Sequence, residues 1–142
     1  MLKPVAYWDT SALVTLCVDQ ADSARALLFA DAYGIVVWWA TPIEIASASA
    51  QLLRQEKITS AEYAHVKLQA EQLANTWHTV APSASIAKRA CGLLETHPLR
   101  AADALQLAAA LEWCEGKPDG EVFLTFDRRL SQAAGLVGFA LK

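Results

Sequence analysis

Four short apolar runs, PVAYW (4–8), IVVWW (35–39), WHTV (77–80) and EVFLT (121–125), interrupt a chain otherwise patterned for helices. No hairpin dipeptide links one run to the next, and each gap is filled by helical sequence. Strands that cannot pair through tight turns pair in parallel through helical crossovers. The pattern predicts an α/β fold with a mainly parallel central sheet of four to five strands flanked by helices. The carboxyl ends of its strands would share one edge.

Helix signals fill the gaps. TSALVTLC (10–17) has helix-compatible spacing, and ADSARALLFADAYG (21–34) reads as a helix with Gly34 as its stop. Thr41-Pro42-Ile43-Glu44 has the form of a helix start, with Thr41 as N-cap, Pro42 next and Glu44 completing a capping box, in a helix to about Arg54. Thr59 and Glu62 repeat that pattern for a helix to about Asn75. SASIAKRACGLLE (83–95) is helical despite Gly92, His97-Pro98 breaks it, and a new helix starts at about Arg100. GKPDG (116–120) is a turn, and RRLSQAAGLVGFALK gives a short helix, a Gly-marked turn and a last edge strand.

The 142 residues suit one domain, 1–142, and 54% apolar residues with 19% charged ones place it among packed proteins. The opening MLKPVAYWDTSALV lacks the features of an export signal, and YGIVVWWA is too short to span a bilayer, so a soluble, cytoplasmic protein is expected. Cys17, Cys91 and Cys114 lack metal or redox spacing and are expected as reduced, buried thiols. His65, His78 and His97 are scattered without zinc-site spacing. Trp38, Trp39 and Trp77 read as core packing before a base-stacking platform. A net charge of −3 argues against a general nucleic-acid coat protein, but leaves open an enzyme that gathers acids at one place.

Four acids invite that second reading. Asp9, Glu44 and Asp127 each follow a strand, and in a parallel sheet they would meet at one edge. Each also has a local explanation: Asp9 and Asp127 as helix caps, Glu44 in its capping box. Asp103 lies within LRAADALQLAAAL (99–111), where its helical neighbours Leu99, Gln106, Leu107 and Ala110 are mostly apolar. Burying an unpaired carboxylate costs several kcal/mol or forces protonation. A first-turn position returns only about 0.3–1 kcal/mol. The local alternative is an ion pair with Arg100.

A cation shared by Asp9, Glu44, Asp103 and Asp127 answers the repulsion among them. Oxygen ligands without histidine or thiolate select Mg²⁺ or Mn²⁺. The corresponding chemistry is phosphodiester hydrolysis by a metal-activated water, which needs no side-chain nucleophile. A phosphatase using Asp9 as nucleophile wants a second acid two residues on, where Ser11 stands.

WDTSALV, Glu44 in a helix opening after the second strand, LRAADALQLAAAL and FLTFDRRL together resemble the PIN-domain ribonucleases. Size and motif order are most similar to the VapC toxins of toxin–antitoxin pairs. The resemblance spans essentially the whole chain. It implies a PIN-like nuclease domain in which Asp9, Glu44, Asp103 and Asp127 form the catalytic, metal-holding quartet, with Ser11 and Thr125 as supporting hydroxyls. It further implies Mg²⁺- or Mn²⁺-dependent endonucleolytic cleavage of RNA, a homodimer, and neutralisation by a cognate VapB-like antitoxin. Arg100, Arg128 and Arg129, adjacent to the quartet, are candidate phosphate contacts or ordinary surface charge. The helices at 21–33 and 41–75 could supply the dimer and antitoxin surfaces. The competing reading is a catalytically silent PIN-like scaffold that binds RNA or a protein partner.

Overall fold

Strand β1 (Val5–Trp8) lies between two neighbours, β2 (Gly34–Trp38) and β4 (Phe123–Leu124), and β3 (His78–Val80) pairs with β2 to complete a parallel sheet of order β3-β2-β1-β4. The computed structural model describes residues 2–142. Helices α1 (Thr10–Cys17) and α2 (Ser23–Ala32) link β1 to β2; α3 (Thr41–Arg54) and α4 (Ser60–Ala74) link β2 to β3; α5 (Ala84–Thr96) and α6 (Ala101–Trp113) link β3 to β4, and α7 (Arg128–Val137) follows β4.

The period of two along each strand feeds two cores. Tyr7, Val36, Trp38 and Phe123 face one side and pack with Ile86, Leu107 and Leu130 of α5, α6 and α7. Ala6, Trp8, Val37 and Leu124 face the other and pack with Leu13 of α1 and Ile45 of α3. Both faces of the sheet are therefore covered, which is why the strands read as continuous apolar runs. A smaller cluster of Cys17, Val18, Ile58 and Val66 seals α1 against α4.

The chain leaves β1 toward one face of the sheet and its edge neighbour β4 toward the other, so the connections after these two strands diverge at their carboxyl ends. This is the topological switch point at which open parallel sheets form a crevice.

Gly92 is carried inside α5, as expected. Several other local expectations change. Gly34 opens β2 and is not a helix stop; its N–H donates to the Pro4 carbonyl at 2.8 Å, and a Cβ there would sit 3.1 Å from Val5 Cγ1. Helix α3 starts at Thr41 with Ala40 as its cap residue, so Thr41 is inside the helix and no side chain caps it. The last edge strand shrinks to a parallel bridge between Val122 and Ala140, because α7 runs on through Gly135 to Val137 and leaves little chain to extend. Trp38 is buried and Trp77 half-buried, but Trp39 falls in the turn beyond β2 and is 53% exposed. Cys17 is buried and Cys114 partly so, whereas Cys91 is exposed on the outer face of α5.

Gly138 ends α7 with φ +115°, and a Cβ there would meet Pro118 Cγ at 3.1 Å. Gly138→Ala is expected to lower stability by about 1–2 kcal/mol. Gly92→Ala, which meets no atom within 4 Å, should raise it by about 0.5–1 kcal/mol. Denaturant midpoints of the two variants check both signs.

Candidate active site

Asp9 is the residue after β1, and its N–H extends the pairing with β4 by donating to the Leu124 carbonyl at 2.9 Å. Its carboxylate is the N-cap of α1, accepting from the Ser11 N–H at 3.3 Å. Capping does not exhaust it. Oδ2 also accepts from Ser11 Oγ at 2.6 Å and from Thr125 Oγ1 at 2.8 Å. Those hydroxyls in turn accept backbone N–H groups, Ser11 from Phe126 at 2.9 Å and Thr125 from Asp127 at 3.0 Å. The start of α1 and the end of β4 are thereby tied together around one buried carboxylate.

Glu44 lies in the first turn of α3, and its carboxylate is turned away from the helix start that the sequence suggested it would cap. Both its oxygens accept from Gln106 Nε2 of α6, at 2.9 and 3.2 Å. The Thr41 hydroxyl and the Trp38 indole N–H nearby make no hydrogen bond of good geometry, although the indole dipole favours the Glu44 carboxylate. Burial and the neighbouring charge of Asp9 push Glu44 up to about 7, against the hydrogen bond from Gln106. Asp9 is raised by burial, against its hydroxyl and backbone donors.

Asp103 and Asp127 form the outer pair. Asp127 caps α7, accepting from the Leu130 N–H at 2.9 Å. Asp103 is the third residue of α6, in the first turn as expected, half-buried, and accepts weakly from the Arg100 N–H at 3.4 Å. It therefore has the local helix-start partner that its apolar surroundings did not suggest, and the Arg100 contact is to the backbone. Burial raises Asp103, the Arg100 N–H lowers it, Asp127 raises it further, and the charges of Arg100 and Arg129 oppose the rise. Arg100, Arg128 and Arg129 are all exposed.

Among the described residues no three acid, histidine or cysteine side chains form a ready-made cage. The acids stand instead as an inner pair, Asp9 and Glu44, and an outer pair, Asp103 and Asp127. An open cleft of about 540 Å³ abuts the outer end, lined by Arg25, Thr125, Phe126, Asp127 and Arg128. The Arg25 guanidinium lies 5.3 Å from the ring centres of both Phe29 and Phe126. Sequence reading missed Arg25, which only the fold brings to this end. It also passed over Gln106, whose signal was present as a lone amide one turn beyond Asp103 in an alanine–leucine helix.

The PIN domain model matches residues 6–136. The chain belongs to the PIN domain family. Two relatives, Ribonuclease VapC45 and Ribonuclease VapC49 of Mycobacterium tuberculosis, are each 32% identical over 137 residues, spanning 95% of this chain and 92% of theirs. The crystal structure of VapC20 from M. tuberculosis, a sarcin–ricin loop cleaving toxin, superposes with a TM-score of 0.67 at 18% identity over 95% of this chain and 96% of that one. A toxin–antitoxin complex from Klebsiella pneumoniae gives 0.62 at 18% identity, over 89% and 90%. These structures share the fold: a parallel sheet with helices on both faces.

The raised inner acids carry a pH signature. A carboxyl whose folded pKa exceeds its unfolded value holds its proton better in the native state, so stability is highest at low pH and falls as pH rises. For Glu44 the window runs from the ordinary 4.5 to about 7. In metal-free buffer the melting temperature should fall across that window, from pH 4.5 to about pH 7, and Glu44→Gln should make that fall shallower. An unchanged slope would remove Glu44 as a source.

Proposed function

We propose that this PIN-domain protein is a Mg²⁺- or Mn²⁺-dependent endoribonuclease that acts as the toxin of a toxin–antitoxin pair. The observation that carries the reading is the gathering of Asp9 and Glu44, with Asp103 and Asp127 beside them, at the crevice between β1 and β4. Relatives at 32% identity that bear the name ribonuclease support the RNA substrate.

The donor set suits a hard divalent cation. It is all carboxylate oxygen, and Mg²⁺ takes one or two carboxylates with the rest of its shell as water, so a closed cage is not required. The raised inner acids are in the state that a nearby cation relieves. Asp9, Glu44, Asp103 and Asp127 are the residues that would hold it. When bound, such an ion supplies a water acidic enough to attack phosphorus and neutralises charge on the phosphate oxygens.

The protein's own part is placement. Ser11 and Thr125 fix the Asp9 carboxylate, and their hydroxyls are thereby committed, which leaves Ser11 poorly suited as a nucleophile. Asp127 is oriented by the α7 N-terminus and Asp103 by that of α6. Arg100, Arg128 and Arg129, exposed beside the outer acids, supply phosphate contacts along the RNA strand.

The chain works as one nuclease domain over 1–142, paired with a second copy and silenced by a VapB-like antitoxin. The exposed Leu27, Leu28, Ile43 and Leu68 on α2, α3 and α4, with Trp39 in the turn before α3, are apolar surface available for such contacts. Among the described residues no helix is long and apolar enough to cross a membrane, and the cytoplasm, where RNA is abundant, is the proposed site of action.

Asp9→Asn or Asp103→Asn should lower Mn²⁺-supported RNA cleavage by on the order of 10²-fold or more, with the circular dichroism spectrum unchanged. Wild-type protein that leaves diverse RNAs intact with Mn²⁺, and is harmless when expressed without an antitoxin, would leave the scaffold reading in its place.

A further inference from the structure

Gln106 is 1% exposed on α6, in a helix whose other buried residues are alanine and leucine. Its carboxamide uses every polar atom. Oε1 accepts from the Tyr7 hydroxyl at 2.6 Å, and Nε2 donates to Thr10 Oγ1 at 3.1 Å and to the Glu44 carboxylate at 2.9 and 3.2 Å. Four elements, β1, α1, α3 and α6, thus meet at one amide.

We propose that Gln106 is a positioning residue for the metal site: oriented by Tyr7, its amide holds the Glu44 carboxylate where it can serve as a ligand. The proposal rests on the metal-site reading above. Glu44 has three rotatable side-chain bonds and no partner at its own helix start; the Thr10 hydroxyl and the Trp38 indole also favour its carboxylate, but Gln106 makes its only hydrogen bonds of good geometry among the described residues, so without Gln106 it would be held far less firmly. The orientation of the amide is dictated from both ends. Turning it over would set its oxygen against the Glu44 oxygens at hydrogen-bond distance, two acceptors facing each other, and would withdraw the acceptor from Tyr7. Tyr7 is fully buried and touches Glu44 only through this amide among the hydrogen bonds it makes. Its hydroxyl is a lock on Gln106, with Gln106 and Glu44 standing between it and any cation bound there.

Groups that hydrogen-bond a metal ligand commonly change metal affinity by about 10–100-fold when removed. The test is Mn²⁺ titration by calorimetry on the full chain. Gln106→Leu, which keeps the volume and removes the amide, should weaken Mn²⁺ binding by about 10-fold or more. Tyr7→Phe, which keeps the ring and removes only the lock, should weaken it in the same direction by a smaller factor. Leu107→Ala, fully buried one residue along the same helix, should lower the melting temperature and leave Mn²⁺ affinity within about twofold of wild type. Loss of affinity in Leu107→Ala as large as in Gln106→Leu would reduce Gln106 to a stability role and overturn the proposal. So would Tyr7→Phe and Gln106→Leu that bind like wild type. Should Gln106→Leu fail to fold, Tyr7→Phe decides by the same criterion. A wild-type chain that binds no Mn²⁺ would sink the metal-site reading and this proposal with it, whereas wild-type binding that neither variant alters would sink this proposal alone.

Discussion

In a parallel sheet every strand ends on the same edge, and β1 is hydrogen-bonded on both sides, so the residue that follows it cannot be anywhere but at the centre of that edge. Asp9 is that residue. Its position is over-determined: backbone pairing to Leu124 fixes the main chain, while Ser11 and Thr125 fix the side chain. The switch in strand order at β1 and β4 opens a crevice beside it, and the first turns of α3 and α6 and the N-cap of α7 bring Glu44, Asp103 and Asp127 to the same end. Topology supplies the convergence; none of the four acids reaches it by local propensity.

Convergence has an electrostatic consequence. Asp9 is buried and Glu44 half-buried, and burial raises both; the charge of Asp9 raises Glu44 further, as that of Asp127 raises Asp103. Hydrogen bonds from Ser11, Thr125 and Gln106 offset part of that rise and do not cancel it. A fold that settled only for stability would replace such a pair with apolar side chains of similar volume. Retaining the acids at the one place where the backbone already forms a crevice is the electrostatic strain that the proposed cation would relieve.

The sheet was legible in the sequence because its signals are strong and simple. Apolar runs of four or five residues, each bounded by helical spans, admit few arrangements, and the sheet has the expected parallel pairing throughout. Where sequence reading erred, the deciding contact was tertiary. Glu44 has the right spacing from Thr41 for a capping box, yet a carboxylate offered a buried amide takes that partner, and the helix starts a residue early. Asp103 lies in the first turn, as the break at Pro98 and a start at about Arg100 imply, but its partner there is the Arg100 backbone N–H rather than the guanidinium of an ion pair. Trp39 and Cys91 are apolar by type, but one lies past the end of its strand and the other on the outward side of its helix. Residue type gives no information about either position.

The alanines of α6 link these levels. Ala104, Ala108, Ala109 and Ala110 are fully buried, and their small side chains let the helix axis come close to both the sheet and α5. A short side chain carries no chemistry, yet it sets the distance at which the one polar residue among them acts. Gln106 can span from Tyr7 on β1 to Glu44 on α3 only because its backbone is held that near to the sheet. Enlarging Ala109 or Ala110 would push α6 outward and lengthen two hydrogen bonds that are now 2.6 and 2.9 Å. The featureless part of LRAADALQLAAAL is therefore as much a determinant of the acid geometry as the acids are.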